Sequence, residues 1–242
     1  MQIKGIKTSV FEEGDSLIDF INEHIPMFCD GDVLTVTSKI VALSERRVAD
    51  KSEMKTIIAK ESYQTIETPW AILTLADDGW GINAGIDESN ADQSIILLPK
   101  NPFKTAKMLC DKIKNQHKLK KFGVIITDTR STPLRIGTIG RAIAYAGFKP
   151  LKDYIGEKDL YGRKSRVTQS NHVDALAAVA VCVMGEGDEQ IPLVHISSAP
   201  VSFTKKPLSK KDTQLFLLPE NDIFSYIFKS SKSESCKSQK DK

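Results

Sequence analysis

Short apolar runs recur along the chain, separated by longer stretches in which apolar residues stand three and four apart. The runs at 33–37, 70–75, 94–98, 124–127 and 193–196 are too short for helices and rich in β-branched side chains, which predicts strands. Spacings of three and four predict helices over 16–23, 101–117, 140–146 and 171–184. Strands interleaved with helices imply an α+β or mixed α/β fold. No internal repeat is visible. From residue 229 to 242 the periodicity stops in favour of Ser and Lys, so the chain divides into a folded unit over 1–228, with room for two subdomains, and a solvated tail over 229–242.

Composition narrows the classes. With 40% hydrophobic and 27% charged residues among 242, the chain can bury a substantial core. The longest apolar run, 175–184, is about half the length that crosses a bilayer, and acids interrupt the N-terminal region where a secretory signal needs apolar residues; no membrane span or export is expected. Cys29, Cys110, Cys182 and Cys236 form no CxxC pair, which fits a reducing cytoplasm. His24, His117, His172 and His195 are equally scattered, so a bound metal should have oxygen ligands, as Mg2+ or Mn2+ do. The five lysines of 229–242, against one Glu and one Asp, account for the whole net charge of +3. A neutral body argues against nucleic acid as a partner. Seven lysines over 104–121 could touch a phosphate backbone, but most charge runs only solvate a helix face.

Four segments could carry chemistry. DDGWGINAGIDESN (77–90) sets Gly79, Gly81 and Gly85 among acids; its glycines could admit a ligand, and Asp87, Glu88, Ser89 and Asn90 offer hard oxygens, while a tight capped turn explains it equally well. GVIITDTR (123–130) puts Asp128 at the end of an apolar strand, suited to a nucleotide-bound metal and also to a plain turn. Arg130, Arg135 and Arg141 among Gly137 and Gly140 suit an anion, although GTIG is neither a Walker loop nor a GxGxxG fingerprint. MGEGDEQIP (184–192) adds two glycines and three acids after an apolar helix, which a helix C-cap would explain without function.

Taken in order, GDVLTVTSKIV (31–41), NAGIDESN (83–90), ITDTR (126–130), PLRIGTIGRAIAYAGF (133–148), DLYGR (159–163), VTQ (167–169) and DALAAVAVCVMGEG (174–187) resemble the gamma-glutamyl ligases that extend coenzyme F-420, across roughly residues 1–200. AGFKPLKDYIG and MGEGDEQ look closest to a bacterial branch presumed to glutamylate folates. The resemblance implies a mixed α/β homodimer, neither P-loop nor Rossmann, that uses GTP or ATP with Mn2+ or Mg2+ to join L-glutamate to a folate-type or deazaflavin-type acceptor through an acyl phosphate; it leaves open a monovalent cation such as K+. It implies metal ligands at Asp87, Asp128, Thr129 and Glu186. Nucleotide contacts fall on Ser38, Lys39 and Asn90, on the loop Thr8, Ser9, Val10 and Phe11, and on Met184, Gly185, Gly187, Asp188, Glu189 and Gln190. Lys39 and Arg135 are the expected catalytic cations, Arg135 as an anion clamp. The chain departs from the family at Leu43, where a second lysine is usual, and at Asp78-Gly79, where His-Gly is usual. Two alternatives stand beside the ligase: a nucleotide- or RNA-binding module using the lysine-rich helix over 104–121 and the basic tail, and an inactive relative acting as an interaction partner.

Overall fold

The computed structural model describes residues 1–88, 94–204 and 215–226; the tail at 229–242 lies outside the described residues. In chain order the strands are β1 (Gln2–Ile6), β2 (Asp32–Thr37), β3 (Val48–Asp50), β4 (Gln64–Glu67), β5 (Ile72–Ala76), β6 (Gly79–Ile82), β7 (Ser94–Ile96), β8 (Phe122–Ser131), β9 (Thr138–Ala146), β10 (Leu151–Asp153), β11 (Gln169–Asn171) and β12 (Leu193–Ser197). The helices are α1 (Leu17–His24), α2 (Ser38–Ser44), α3 (Met54–Lys60), α4 (Pro102–His117) and α5 (His172–Met184). The main sheet runs β1-β12-β2-β8-β9, with β2 and β8 parallel and the other neighbours antiparallel. A β4-β5-β6 meander and the pairs β3-β7 and β10-β11 complete the α+β architecture.

The main sheet is buried on both faces. Strand periodicity sends Leu34, Val36, Val124 and Ile126 to one side, where they pack with Phe20, Ile21, Leu109 and Ile113 of α1 and α4. Val33 and Ile125 point the other way, against Leu176, Ala177 and Ala180 of α5. A strand covered on both sides reads as a continuous apolar run, which is why 33–37, 124–127 and 193–196 stand out in the sequence. The apolar run at 175–184 belongs to α5, pressed on this sheet, and among the described residues no helix is long and apolar enough to cross a membrane.

Three helix expectations hold to within a residue or two, for visible reasons. Pro102 opens α4, where its missing N–H costs nothing, and Lys118 closes it in the left-handed region at φ 56°. Asn171 caps α5 by accepting from the Asp174 N–H at 3.1 Å. The fourth fails: 140–146 is strand β9, not a helix. Its alanines serve close packing rather than helix propensity, since β9 lies under α5 and a Cβ on Gly140 would meet the Val181 side chain and the Ala177 carbonyl. A bulge also disrupts its alternation. Ile126 pairs with Ala144 but Thr127 with Ala142, so Ile143 and Ala144 both join the α1/α4 side. The Ala142 N–H donates to Asp174 Oδ1 of α5 at 3.0 Å.

Candidate functional site

Strands β1, β2 and β8 point the same way, and their carboxyl ends open on one cleft of about 570 Å³, within the range of small-ligand sites. Thr8, Ser9, Val10 and Phe11 follow β1; Ser38 and Lys39 start α2 directly after β2; Asp128 and Thr129 sit near the end of β8. Met184, Gly185, Glu186, Gly187, Asp188, Glu189 and Gln190 form the connection from α5 to β12, and Asp87 enters from the β6–β7 connection. The loops are tied together: the Thr8 N–H donates to the Gln190 carbonyl and the Thr37 N–H to the Pro192 carbonyl, each at 3.0 Å. Gly185 at φ 77° ends α5, as a C-cap should, and the Glu189 carboxylate folds over it to accept from the Gly187 N–H at 2.8 Å.

Two expected site residues are not on this lining. Asn90 lies outside the described residues. Arg135 stands exposed on the turn between β8 and β9 and is not part of the cleft lining; its position in sequence, seven residues past Asp128, said nothing about the length of the hairpin that carries it. Two of the three glycines of 77–90 are packed against protein rather than open ligand space, Gly81 against the Arg130 guanidinium and Gly85 against Leu98, while Gly79 at φ 96° serves the turn between β5 and β6. Conversely, the lining includes Ile40, Leu43, Val48 and Ile96, an apolar wall whose residues carry no chemical signal in sequence. Leu43, noted as a departure, is part of it.

Electrostatics single out Asp128. Burial pushes its carboxyl up to about 7, opposed by the Thr129 backbone and the Ser38 hydroxyl, which donates to Oδ1 at 3.2 Å, and reinforced by the charges of Asp87 and Glu186. Burial also raises Glu186, against the pull of Lys39, with Asp87 and Glu189 adding to the rise. Lys39 Nζ stands 2.8 Å from Asp87 Oδ2. Among the described residues no three His, Cys, Asp or Glu side chains are already drawn into a metal-holding cluster; the three acids share the cleft, and the Lys39 ammonium acts on Asp87 and Glu186.

Elsewhere the lysine-rich helix α4 buries Ala106, Leu109, Cys110 and Ile113 and turns its charges outward, Lys107 pairing with Asp111 one turn on. That is the pattern of a solvated face. Cys29, Cys110 and Cys182 are free thiols, Cys110 buried.

Comparison with known proteins agrees with the motifs. The family described as F420-0:Gamma-glutamyl ligase matches residues 5–69 and 52–198. A coenzyme F420:L-glutamate ligase of Methanococcus maripaludis is 39% identical over 191 residues, covering 76% of each chain. Proteins of the same description from Archaeoglobus fulgidus and Methanocaldococcus jannaschii are 34% and 31% identical, over 80% and 93% of this chain and 85% and 96% of theirs. Ordered motifs, a cleft at the strand ends and relatives matched along most of their length converge on one conclusion: this chain is an enzyme of the F420-0:gamma-glutamyl ligase family.

Proposed function

We propose that residues 1–228 form a γ-glutamyl ligase that joins L-glutamate to the carboxylate of a folate-type acceptor or a deazaflavin-type F420 precursor, using GTP or ATP with Mn2+ or Mg2+. Asp128 carries this reading: a carboxyl buried at the end of a parallel strand, in the field of Asp87 and Glu186, is costly to ionise unless a cation answers it. Asp87, Asp128, Glu186 and the Thr129 hydroxyl make an all-oxygen donor set on one cleft, which suits a hard divalent ion and would hold it. When bound, the cation would offset charge on the transferring phosphoryl group.

The chain's own groups account for the rest. Lys39, in the first turn of α2, is the cation on the lining that would meet nucleotide phosphate, and Ser38 beside it orients Asp128 through Oδ1. Backbone groups of 8–11 and 184–190, together with Asn90, would contact the nucleotide; the apolar wall of Ile40, Leu43, Val48 and Ile96 suits a flat heterocycle. In the reaction, an oxygen of the acceptor carboxylate bonds to the γ-phosphorus as the bond to the nucleoside diphosphate breaks. The glutamate amine then attacks the acyl carbon, loses a proton and expels phosphate, leaving the amide. The free thiols Cys29, Cys110 and Cys182 favour a reducing, cytoplasmic setting.

Phosphate release by purified protein with Mn2+, L-glutamate and GTP or ATP, compared between a reduced folate and the F420 precursor and with and without K+, tests the proposal. Release that requires one acceptor and yields its mass plus one glutamyl unit is the expected result; no release with either acceptor overturns it. Lys39→Ala should weaken nucleotide binding by about tenfold, the worth of one charged hydrogen bond. Unchanged nucleotide affinity would remove Lys39 from that role.

A homodimer is part of the proposal. Leu134 and Ile136, either side of Arg135, and Leu160, Tyr161 and Val167 are almost wholly exposed, more apolar surface than a monomer usually shows. Sedimentation should give about twice the chain mass of 26.8 kDa. A single 26.8 kDa species at micromolar concentration argues the dimer away.

A further inference from the structure

We propose that Asp78 is a positioning residue that holds the Arg130 guanidinium off Asp128 and so leaves Asp128 able to take a divalent cation; the inference rests on the metal-binding reading of the cleft above. Asp128 and Arg130 stand two residues apart on β8 and therefore on the same face. Left to themselves, a buried carboxylate and a buried guanidinium in that relation would close into a tight ion pair. They do not. Arg130 Nη2 is 3.7 Å from Asp128 Oδ2 and pairs directly with Asp78 Oδ2, which the turn between β5 and β6 brings in from the small sheet.

The seat for this arrangement is built. The Arg130 side chain is 6% exposed, Asp78 14% and Asp128 19%. Gly81 of β6 gives the guanidinium its room, since a Cβ there would run into Nη1. Arg130 Nε is buried without a hydrogen-bond partner among the described residues, so its orientation follows the Asp78 contact rather than a full set of bonds. Asp128 in turn keeps Oδ1 on Ser38 while Oδ2 is left beyond hydrogen-bond reach of Arg130. Without Asp78, the next carboxylate facing Arg130 Nη2 is Asp128 itself, and a guanidinium seated there competes with a cation for the same oxygen.

The test is Mn2+ uptake by the nucleotide-free protein, read from the loss of the free-ion electron paramagnetic resonance signal. Asp78→Asn should raise the Mn2+ dissociation constant about tenfold, as removal of outer-shell partners does. Asp78→Asn combined with Arg130→Gln should return it to within about threefold of the parent, because the competing cation is gone. A purely structural pair gives the opposite order, the double variant binding no better than the single, and that result overturns the proposal. So does wild-type affinity in Asp78→Asn. Asp128→Asn separates the two layers: if it abolishes uptake while Asp78→Asn changes nothing, the metal site stands and the inference falls. If the parent takes up no Mn2+, or Asp128→Asn binds as the parent does, both fall. Should Asp78→Asn fail to fold, Gly81→Ala dislodges the guanidinium from its seat, and its loss of affinity with rescue by Arg130→Gln decides by the same criteria.

Discussion

Asp128→Asn should lower turnover on the order of 10³-fold, the cost of removing one well-placed electrostatic partner from a transition state, while the protein melts higher than the parent. The two effects have one cause. In the unfolded chain this carboxyl titrates near its ordinary value of 3.8, but burial lifts it to about 7 in the folded protein. Between those values the folded state holds a proton that the unfolded chain has released, so stability falls as the pH rises from about 4 through about 7. Asparagine carries no such charge. In cation-free buffer at pH 8 the variant should therefore be the more stable by about 2–3 kcal/mol, after allowing for the lost proximity to Arg130, and melt about 5–10 °C higher. The gap should narrow as the pH is brought down toward 4. Melting curves at pH 8 and pH 5, beside phosphate release, check both halves. A variant that keeps turnover removes Asp128 from the chemistry, and one that melts lower at pH 8 shows that the folded protein does not bear a buried charge there.

That the same residue weakens the fold and carries the proposed function is the usual relation between an active site and its scaffold. It also explains which parts of the molecule can be read from sequence. Val33, Leu34, Val36 and Val124–Ile126 advertise a twice-buried strand because apolar side chains occupy both faces, with Thr35 the one buried polar position among 33–36. Asp128 is legible for the contrary reason, as an acid where that apolar pattern should continue. The segment 140–146 is illegible, because small residues that let a helix approach a strand are also the residues that favour a helix, and the bulge at Ile143 destroys the alternation that would have distinguished them. The Asp78–Arg130 pair joins residues 52 apart through two different sheets, a contact that no local spacing encodes. The place of Arg135 is hidden by the same logic in reverse. It shares a motif with Asp128, but β8 and β9 extend past the cleft and carry it to the tip of their hairpin. Short elements such as β3 and β7 arise from pairing with each other, Val48 beside Ile96, and have no signature of their own.

Gly140→Val should destabilise the protein by about 3 kcal/mol and impair the cleft at a distance. Gly140 faces α5 from β9; its missing side chain is occupied by the Val181 side chain and, more tellingly, by the Ala177 carbonyl, which belongs to the helix backbone and cannot rotate away. Adding a branched side chain forces the helix off the sheet. Its packing there involves Val33, Ile125, Val194 and Ile196 of three neighbouring strands, so the displacement cannot be confined to one contact. At its carboxyl end α5 continues into Met184, Gly185 and Glu186, which line the cleft, and shifting the helix shifts Glu186 relative to Asp128. Urea unfolding should show the midpoint falling without a change in slope, and Mn2+ uptake should weaken even where the variant remains folded. Gly140→Ala supplies the graded case, with a smaller loss on both measurements. A Gly140→Val protein of parental stability would mean that α5 is not seated against β9 as closely as the Val181 and Ala177 contacts require.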